Sequence, residues 1–138
     1  MAIQQGATDA FKTGLMNGGY NFTSGSFKIA LYTGSATLGP NTAVYTSSNE
    51  VVATGYTAGG IALPVSVTPT SSNNITYISF SNVTWYGSIT ARGALIYQDG
   101  GSNPTVCVLD FGSDKTSITS LTVQFPTADS ANAIIRIT

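Results

Sequence analysis

Apolar residues recur at every second position in two stretches of this chain, Phe27, Ile29 and Leu31 in the first and Ile61, Leu63, Val65 and Val67 in the second. A period of two puts those side chains on one face of an extended backbone, with Lys28, Ala30 and Tyr32 on the opposite face of the first stretch. Both stretches therefore read as half-buried β-strands. Five more are predicted over 74–80, 89–97, 105–111, 117–125 and 131–137, each bounded by Ser, Asn, Gly, Asp or Pro clusters. Seven short strands joined mostly by short turns predict an all-β fold, a two-sheet β-sandwich of immunoglobulin-like or jelly-roll-like kind.

The turn chemistry agrees. Asp99-Gly100-Gly101 supplies the positive φ of a tight hairpin, and Pro126-Thr127-Ala128-Asp129 reads as a turn into the last strand. Pro64 interrupts an alternating run and cannot donate to a ladder, which predicts an edge strand or a bulge there. No internal repeat, linker or composition shift divides residues 1–138, so a single domain is expected, large enough to bury a core without staples.

A short helix is predicted over 8–18, with Thr8 or Asp9 as its N-terminal cap, Phe11 and Leu15 four apart on one face, and Gly18-Gly19 as its stop. So thin an apolar stripe predicts docking on the sheet or on a neighbouring subunit. It also predicts that removing the residues up to Gly18 leaves the sandwich folded and weakens assembly.

The segment 33–60 contains only two short apolar pairs, Val44-Tyr45 and Val51-Val52, and ends in the Gly-rich turn Gly55-Tyr-Thr-Ala-Gly-Gly60. A loop this long in a compact domain is functional or folded back on itself. One reading is a presented contact surface, with Tyr45, Glu50 and Tyr56, together with Phe11 and Leu15 of the helix, as partner-contact residues. The competing reading is that the two tyrosines close one end of the sandwich.

Composition restricts the partners. Charged residues make up 8% of the chain and its net charge is −1, from five Lys or Arg and six Asp or Glu with neither sign clustered. Neutralising phosphates requires a basic patch, so nucleic acid is not an expected partner. A surface with little self-repulsion suits self-association or docking on a larger body. The single cysteine, Cys107, lies in the apolar run Val106-Cys-Val-Leu109 and reads as a buried core thiol. The amino-terminal residues lack the pattern of a signal peptide and no apolar stretch reaches 18 residues, so no membrane partner is expected and the chain reads as cytoplasmically made.

Catalytic chemistry finds few parts. Without histidine the commonest general base and metal ligand are missing. Ser113 and Lys115 read as a solvated corner, not as a nucleophile and its base. Glu50, Asp99, Asp110 and Asp114 carry no spacing that brings a glycosidase pair together; Asp110 reads as a partner of Arg92 or a cap on backbone amides. Asp99-Gly-Gly-Ser-Asn103 lacks the ligand spacing of a calcium loop, and Gly55 to Gly60 lacks the Lys-Ser/Thr pair of a phosphate loop. Asn-x-Ser/Thr triplets at Asn21, Asn74 and Asn82 occur at the frequency chance predicts in a chain about a quarter Ser and Thr. Trp85-Tyr86 reads either as core or as a sugar-stacking platform. No catalytic residue, cofactor or metal is expected.

Taken in order, Phe27-Lys-Ile-Ala-Leu-Tyr32, Asn49-Glu-Val51, Gly55-Tyr-Thr-Ala-Gly-Gly60, Ala91-Arg-Gly-Ala-Leu-Ile-Tyr97, Val108-Leu-Asp-Phe-Gly112, Phe125-Pro-Thr-Ala-Asp129 and Ala133-Ile-Ile-Arg136 resemble a family of small virion structural proteins of tailed bacteriophages. The resemblance implies a non-enzymatic virion component assembled in the host cytoplasm. Its expected partners are the major capsid protein, which it would dock on as a decoration or cement protein, or copies of itself. A tail component (tube, adaptor or fibre-base ring subunit) is the alternative within the virion. A carbohydrate-binding module for host attachment is the alternative outside this class.

Overall fold

A computed structural model describes residues 2–138. In chain order the elements are β1 (Gly6–Ala7), α1 (Asp9–Asn17), β2 (Phe27–Tyr32), β3 (Ile61–Ala62), β4 (Val65–Ser72), β5 (Ile75–Phe80), β6 (Val83–Tyr86), β7 (Thr90–Gln98), β8 (Thr105–Thr116), β9 (Ser120–Val123) and β10 (Ile135–Ile137). They pair antiparallel in a five-stranded sheet of order β1-β8-β7-β2-β3, a three-stranded sheet β10-β5-β4 and a two-stranded sheet β6-β9. The fold is the expected all-β sandwich with one short helix, built from ten strands where the sequence reading found seven.

The added strands have local causes. Pro64 splits the alternating run 61–67: Leu63 N–H still reaches Phe27 O at 2.8 Å, and Pro64 O then accepts from Ser81 N–H at 2.9 Å. The chain thus crosses from the edge of the large sheet (β3) to the edge of the three-stranded sheet (β4) at the residue that has no N–H to offer. β6 is too short to stand out by periodicity, and β1 is only two residues at the sheet's edge. The predicted strand over 131–137 shrinks to three residues because Asp129 Oδ1 accepts from the Ala131 and Asn132 amides at 2.9 and 2.7 Å, holding 129–132 in a turn.

The main core lies between the sheets. Ile29 and Leu31 of β2 and Ala94 and Ile96 of β7 meet Ile78 and Phe80 of β5, Trp85 of β6 and Val123 of β9. Phe22 stacks on Phe27 at 4.7 Å between ring centroids and meets Phe80 edge-on, closing one end. Each of the Ile, Leu, Val and Phe side chains contributes about 1.5–3 kcal/mol by leaving water.

β2 is not half-buried as its alternation predicts. Ala30 and Tyr32, on the face assigned to solvent, are both fully buried, with Leu95, Tyr97 and Val108 beside them and Ala36 and Leu38 above. The segment 33–60 folds down over this second face. It is secured by an Ile3–Leu38 bridge and by Gln4 N–H to Leu38 O at 2.8 Å. Only this tertiary cover makes the inner strands apolar on both sides.

The helix is also more deeply built in than its two-residue stripe suggests. Thr8 is its N-cap, accepting from Phe11 N–H at 3.2 Å, and Gly18 at φ 74° ends it. Phe11 is 3% exposed inside the main core, in edge contact with Tyr20 and Phe22, whereas Leu15 is half-buried against it. Thr105 Oγ1 donates to the Thr8 hydroxyl at 2.9 Å, joining the cap to the start of β8. The expectation that this segment is dispensable for folding is therefore corrected: deletion of residues 1–18 removes a core aromatic and the edge strand β1. We expect Phe11→Ala to cost about 3–5 kcal/mol and the deletion to abolish cooperative melting, both read by circular dichroism against temperature.

Candidate functional site

The loop 33–60 closes on one carboxylate. Glu50 follows Asn49, whose positive φ of 60° turns the chain, and Thr33 N–H to Asn49 O and Val51 N–H to Leu31 O, each 3.0 Å, lay residues 49–51 along the end of β2 that β3 leaves unpaired. This sends the Glu50 side chain inward, where it is 7% exposed. Its Oε1 accepts from the Tyr45 hydroxyl at 2.5 Å, and its Oε2 accepts from the Tyr56 hydroxyl and, at 2.7 Å, from Gly59 N–H. Charge-assisted bonds of this kind are the strong ones, and three of them satisfy a carboxylate out of water.

Strand tyrosines continue the network. The Tyr56 hydroxyl also accepts from Leu31 N–H at 2.9 Å, Tyr32 donates to Thr46 O at 2.5 Å, and Tyr97 donates to Gly59 O at 2.5 Å. The Tyr45 ring lies against Tyr97 with centroids 4.9 Å apart. Four tyrosyl hydroxyls thereby fasten the loop to itself and to the sheet. Burial, followed by the nearby Glu50 charge and hydrogen bonds to it, pushes the Tyr45 and Tyr56 phenols well above their ordinary range; burial does the same for Tyr32 and raises Tyr97 to about 12. At the loop's exit Gly60 has φ 80°, and a Cβ there would collide with Ile29 O, so only glycine permits the close return to β2.

This geometry revises the expected contact residues. Tyr45, Glu50 and Tyr56 face inward and Phe11 lies in the core, because each polar tip finds its partner inside and each apolar body leaves water. Phe11, Glu50 and Tyr56 are buried, whereas Tyr45 and Leu15 each keep part of the side chain at the surface. The reading in which the tyrosines close the sandwich describes the loop. Tyr32 and Tyr97 were missed; the signal for Tyr32 was a tyrosine beside Ala30 on the face of β2 assigned to solvent, and for Tyr97 a tyrosine closing the apolar run Ala94-Leu-Ile-Tyr97.

The other chemical candidates are structural too. Asp110 Oδ1 accepts from Arg92 Nε at 3.2 Å and from Gly112 N–H at 2.9 Å, which together hold its carboxyl below the usual range, the amide foremost. Cys107 is buried, and burial raises its thiol to about 12. Trp85 is 2% exposed beneath Tyr56, so it offers no open face to a sugar; its Nε1–H is the one buried side-chain donor without a hydrogen-bond partner among the described residues. Among those residues no group of His, Cys, Asp or Glu is placed to hold a metal, and no helix is long and apolar enough to cross a membrane.

A few large apolar side chains remain outside. Met16, Val52, Tyr86 and Ile118 are 75–97% exposed. Below α1 a cleft of about 160 Å³ opens between Leu15, Phe22, Tyr77, Ile135 and Ile137. Comparison with family models, curated proteins and solved structures gave no match.

Two outcomes follow from the carboxylate hub. Glu50→Ala strips the acceptor from three donors, at about 1.5–3 kcal/mol for each bond to a charged group, and should lower stability by at least about 4.5 kcal/mol in urea denaturation, against about 1.5–3 kcal/mol for Tyr56→Phe, which loses one such bond. Because the folded-state phenols are raised above the unfolded value near 10, their contribution is complete below pH ~10 and is lost as pH rises through their folded values. An absorbance titration should show Tyr32, Tyr45, Tyr56 and Tyr97 ionising only together with loss of the β-sheet circular dichroism signal.

Proposed function

We propose that this protein is a non-enzymatic structural component of a tailed-bacteriophage virion, a decoration protein that docks on the major capsid protein lattice and stabilises the head. The observation that carries the reading is the disposition of its side chains. Glu50 and Asp110 are bound into structural networks, while large apolar groups stand exposed on a nearly uncharged surface. Catalysis asks for the reverse, a cleft with free polar groups converging on it. An exposed apolar patch on a folded chain marks a contact surface.

The sequence resemblance supports the same class, and the rigid loop adds to it. A cement protein gains from a surface ordered before docking, because little further entropy is lost on binding. Selective binding to the assembled lattice stabilises it by mass action, and many copies acting together hold firmly where one does not. A tail ring subunit is the second reading, favoured by one specific feature: the exposed apolar groups occur at two separate ends of the sandwich, as head-to-tail contacts require.

The test is sedimentation of the purified protein with emptied capsids of its phage, followed by thermal challenge of the shells. Saturable co-sedimentation and a raised shell-disruption temperature are expected. Failure to bind shells, or density confined to the tail axis in electron cryomicroscopy of virions, rejects the decoration role.

A further inference from the structure

Of the nine asparagines, only Asn17 is followed by glycine. A glycine amide nitrogen has no side chain beside it to hinder its approach, so in an extended chain it can attack the side-chain carbonyl carbon of the asparagine before it. Asn17 is the last residue of α1, and its side chain is exposed to water. The helix nevertheless holds this pair in a shape that opposes the reaction. At a helical ψ of about −42° the Gly18 nitrogen stands away from Asn17 Cγ, whereas ring closure needs that nitrogen swung over the Cα–Cβ bond.

The cap locks that shape. Gly18, at φ 74°, gives its N–H to Gly14 O, and Gly19 N–H reaches the same carbonyl at 2.7 Å. Attack requires the Gly18 nitrogen to lose its proton, and the bond to Gly14 O holds that proton in place. Tyr20 then folds back on the helix. Its ring packs so closely on Gly14 that a Cβ there would collide with it, and it meets Phe11 edge-on at 5.1 Å. Its hydroxyl donates to Thr105 O at 2.6 Å, which pins the chain to β8 just past the cap.

We propose that Asn17 is a site of spontaneous deamidation gated by this cap, reacting only when the last turn of α1 opens. The Gly18 amide nitrogen then attacks Asn17 Cγ and closes a succinimide ring. The side-chain nitrogen leaves as ammonia, taking the proton that the Gly18 nitrogen gives up, and water opens the ring to aspartate or, at the other carbonyl, to isoaspartate. Water is the only co-reactant. Helix ends are among the parts of a fold that open most often, so the gate is slow and not sealed. The change also favours further opening. It adds one negative charge at the negative end of the helix dipole, where the last turn carries no basic residue. Isoaspartate in addition inserts a methylene into the backbone, which shifts Gly18 and Gly19 out of reach of Gly14 O. The helix so loosened is the one that carries Phe11 into the core.

Native protein and protein unfolded in guanidinium chloride, aged side by side at slightly alkaline pH, test it, with conversion at Asn17 read by peptide mass mapping. Native conversion should be at least about ten-fold slower than unfolded. The slowing should match the hydrogen-exchange protection of the Gly18 amide, because one opening serves both reactions. Tyr20→Phe removes the bond to Thr105 O and should speed native conversion about two- to ten-fold without changing the unfolded rate. Asn17→Gln should abolish the gain of negative charge seen on ion exchange. Should Tyr20→Phe lose its cooperative melt, the comparison with exchange in the unaltered protein decides. Equal native and unfolded rates overturn the gate, as does conversion that does not follow Gly18 protection or is unmoved in a folded Tyr20→Phe. An unfolded chain that leaves Asn17 intact, or a charge gain that persists in Asn17→Gln, overturns the site itself.

Discussion

The Glu50 carboxylate, held under the loop by two tyrosyl hydroxyls and the Gly59 amide, is the interaction on which the rest of the architecture turns. A buried charge is tolerable only when its hydrogen-bonding capacity is met, so the three donors and the carboxylate must arrive together or not at all. Residues 45–59 are thereby tied to one point. Once they are, the loop covers Ala30, Tyr32, Leu95 and Val108, and the large sheet gains a second apolar layer. A chain with so few charges has spent one of its six carboxylates inside.

That second layer explains how a chain of this length carries a loop of 28 residues, 33–60, without leaving it loose. Its backbone bonds go to the free edge of β2 through Asn49 and Val51, to the start of β8 through Ala43 and Tyr45, and to the amino-terminal segment through Leu38. The same bonds occupy the stretches of β2 and β8 that the two-residue strands β3 and β1 leave unpaired. At the edge of the three-stranded sheet, β4 carries Pro69 and two register shifts, which serve the same end.

Much of the fold is legible because strands and turns are local matters. The alternation of Phe27, Ile29 and Leu31, the Asp99-Gly-Gly hairpin, the Thr8 and Gly18 caps and the Arg92–Asp110 pair all rest on residues whose neighbours in sequence or across one ladder set their roles. The contact residues were not legible. Tyrosine and glutamate on a polar loop look the same whether they face a partner or a core, since each has a polar tip that either setting can satisfy. Ile118, by contrast, is an apolar residue in a bend and drew no notice, and Val52 was read only as half of a short apolar pair.

By itself the sequence determined an all-β chain with one short capped helix, a buried thiol and few charges, because period, turn chemistry and charge act over a few residues or over the whole composition. The tertiary structure decided which face of β2 is covered, that Phe11 belongs to the core, that Glu50 points inward, and which apolar side chains are left in water. These depend on residues that are distant in the chain, such as Glu50 with Tyr32 or Phe11 with Phe22 and the sheet, meeting in space. Burial is a property of what lies on top, and no local pattern records that.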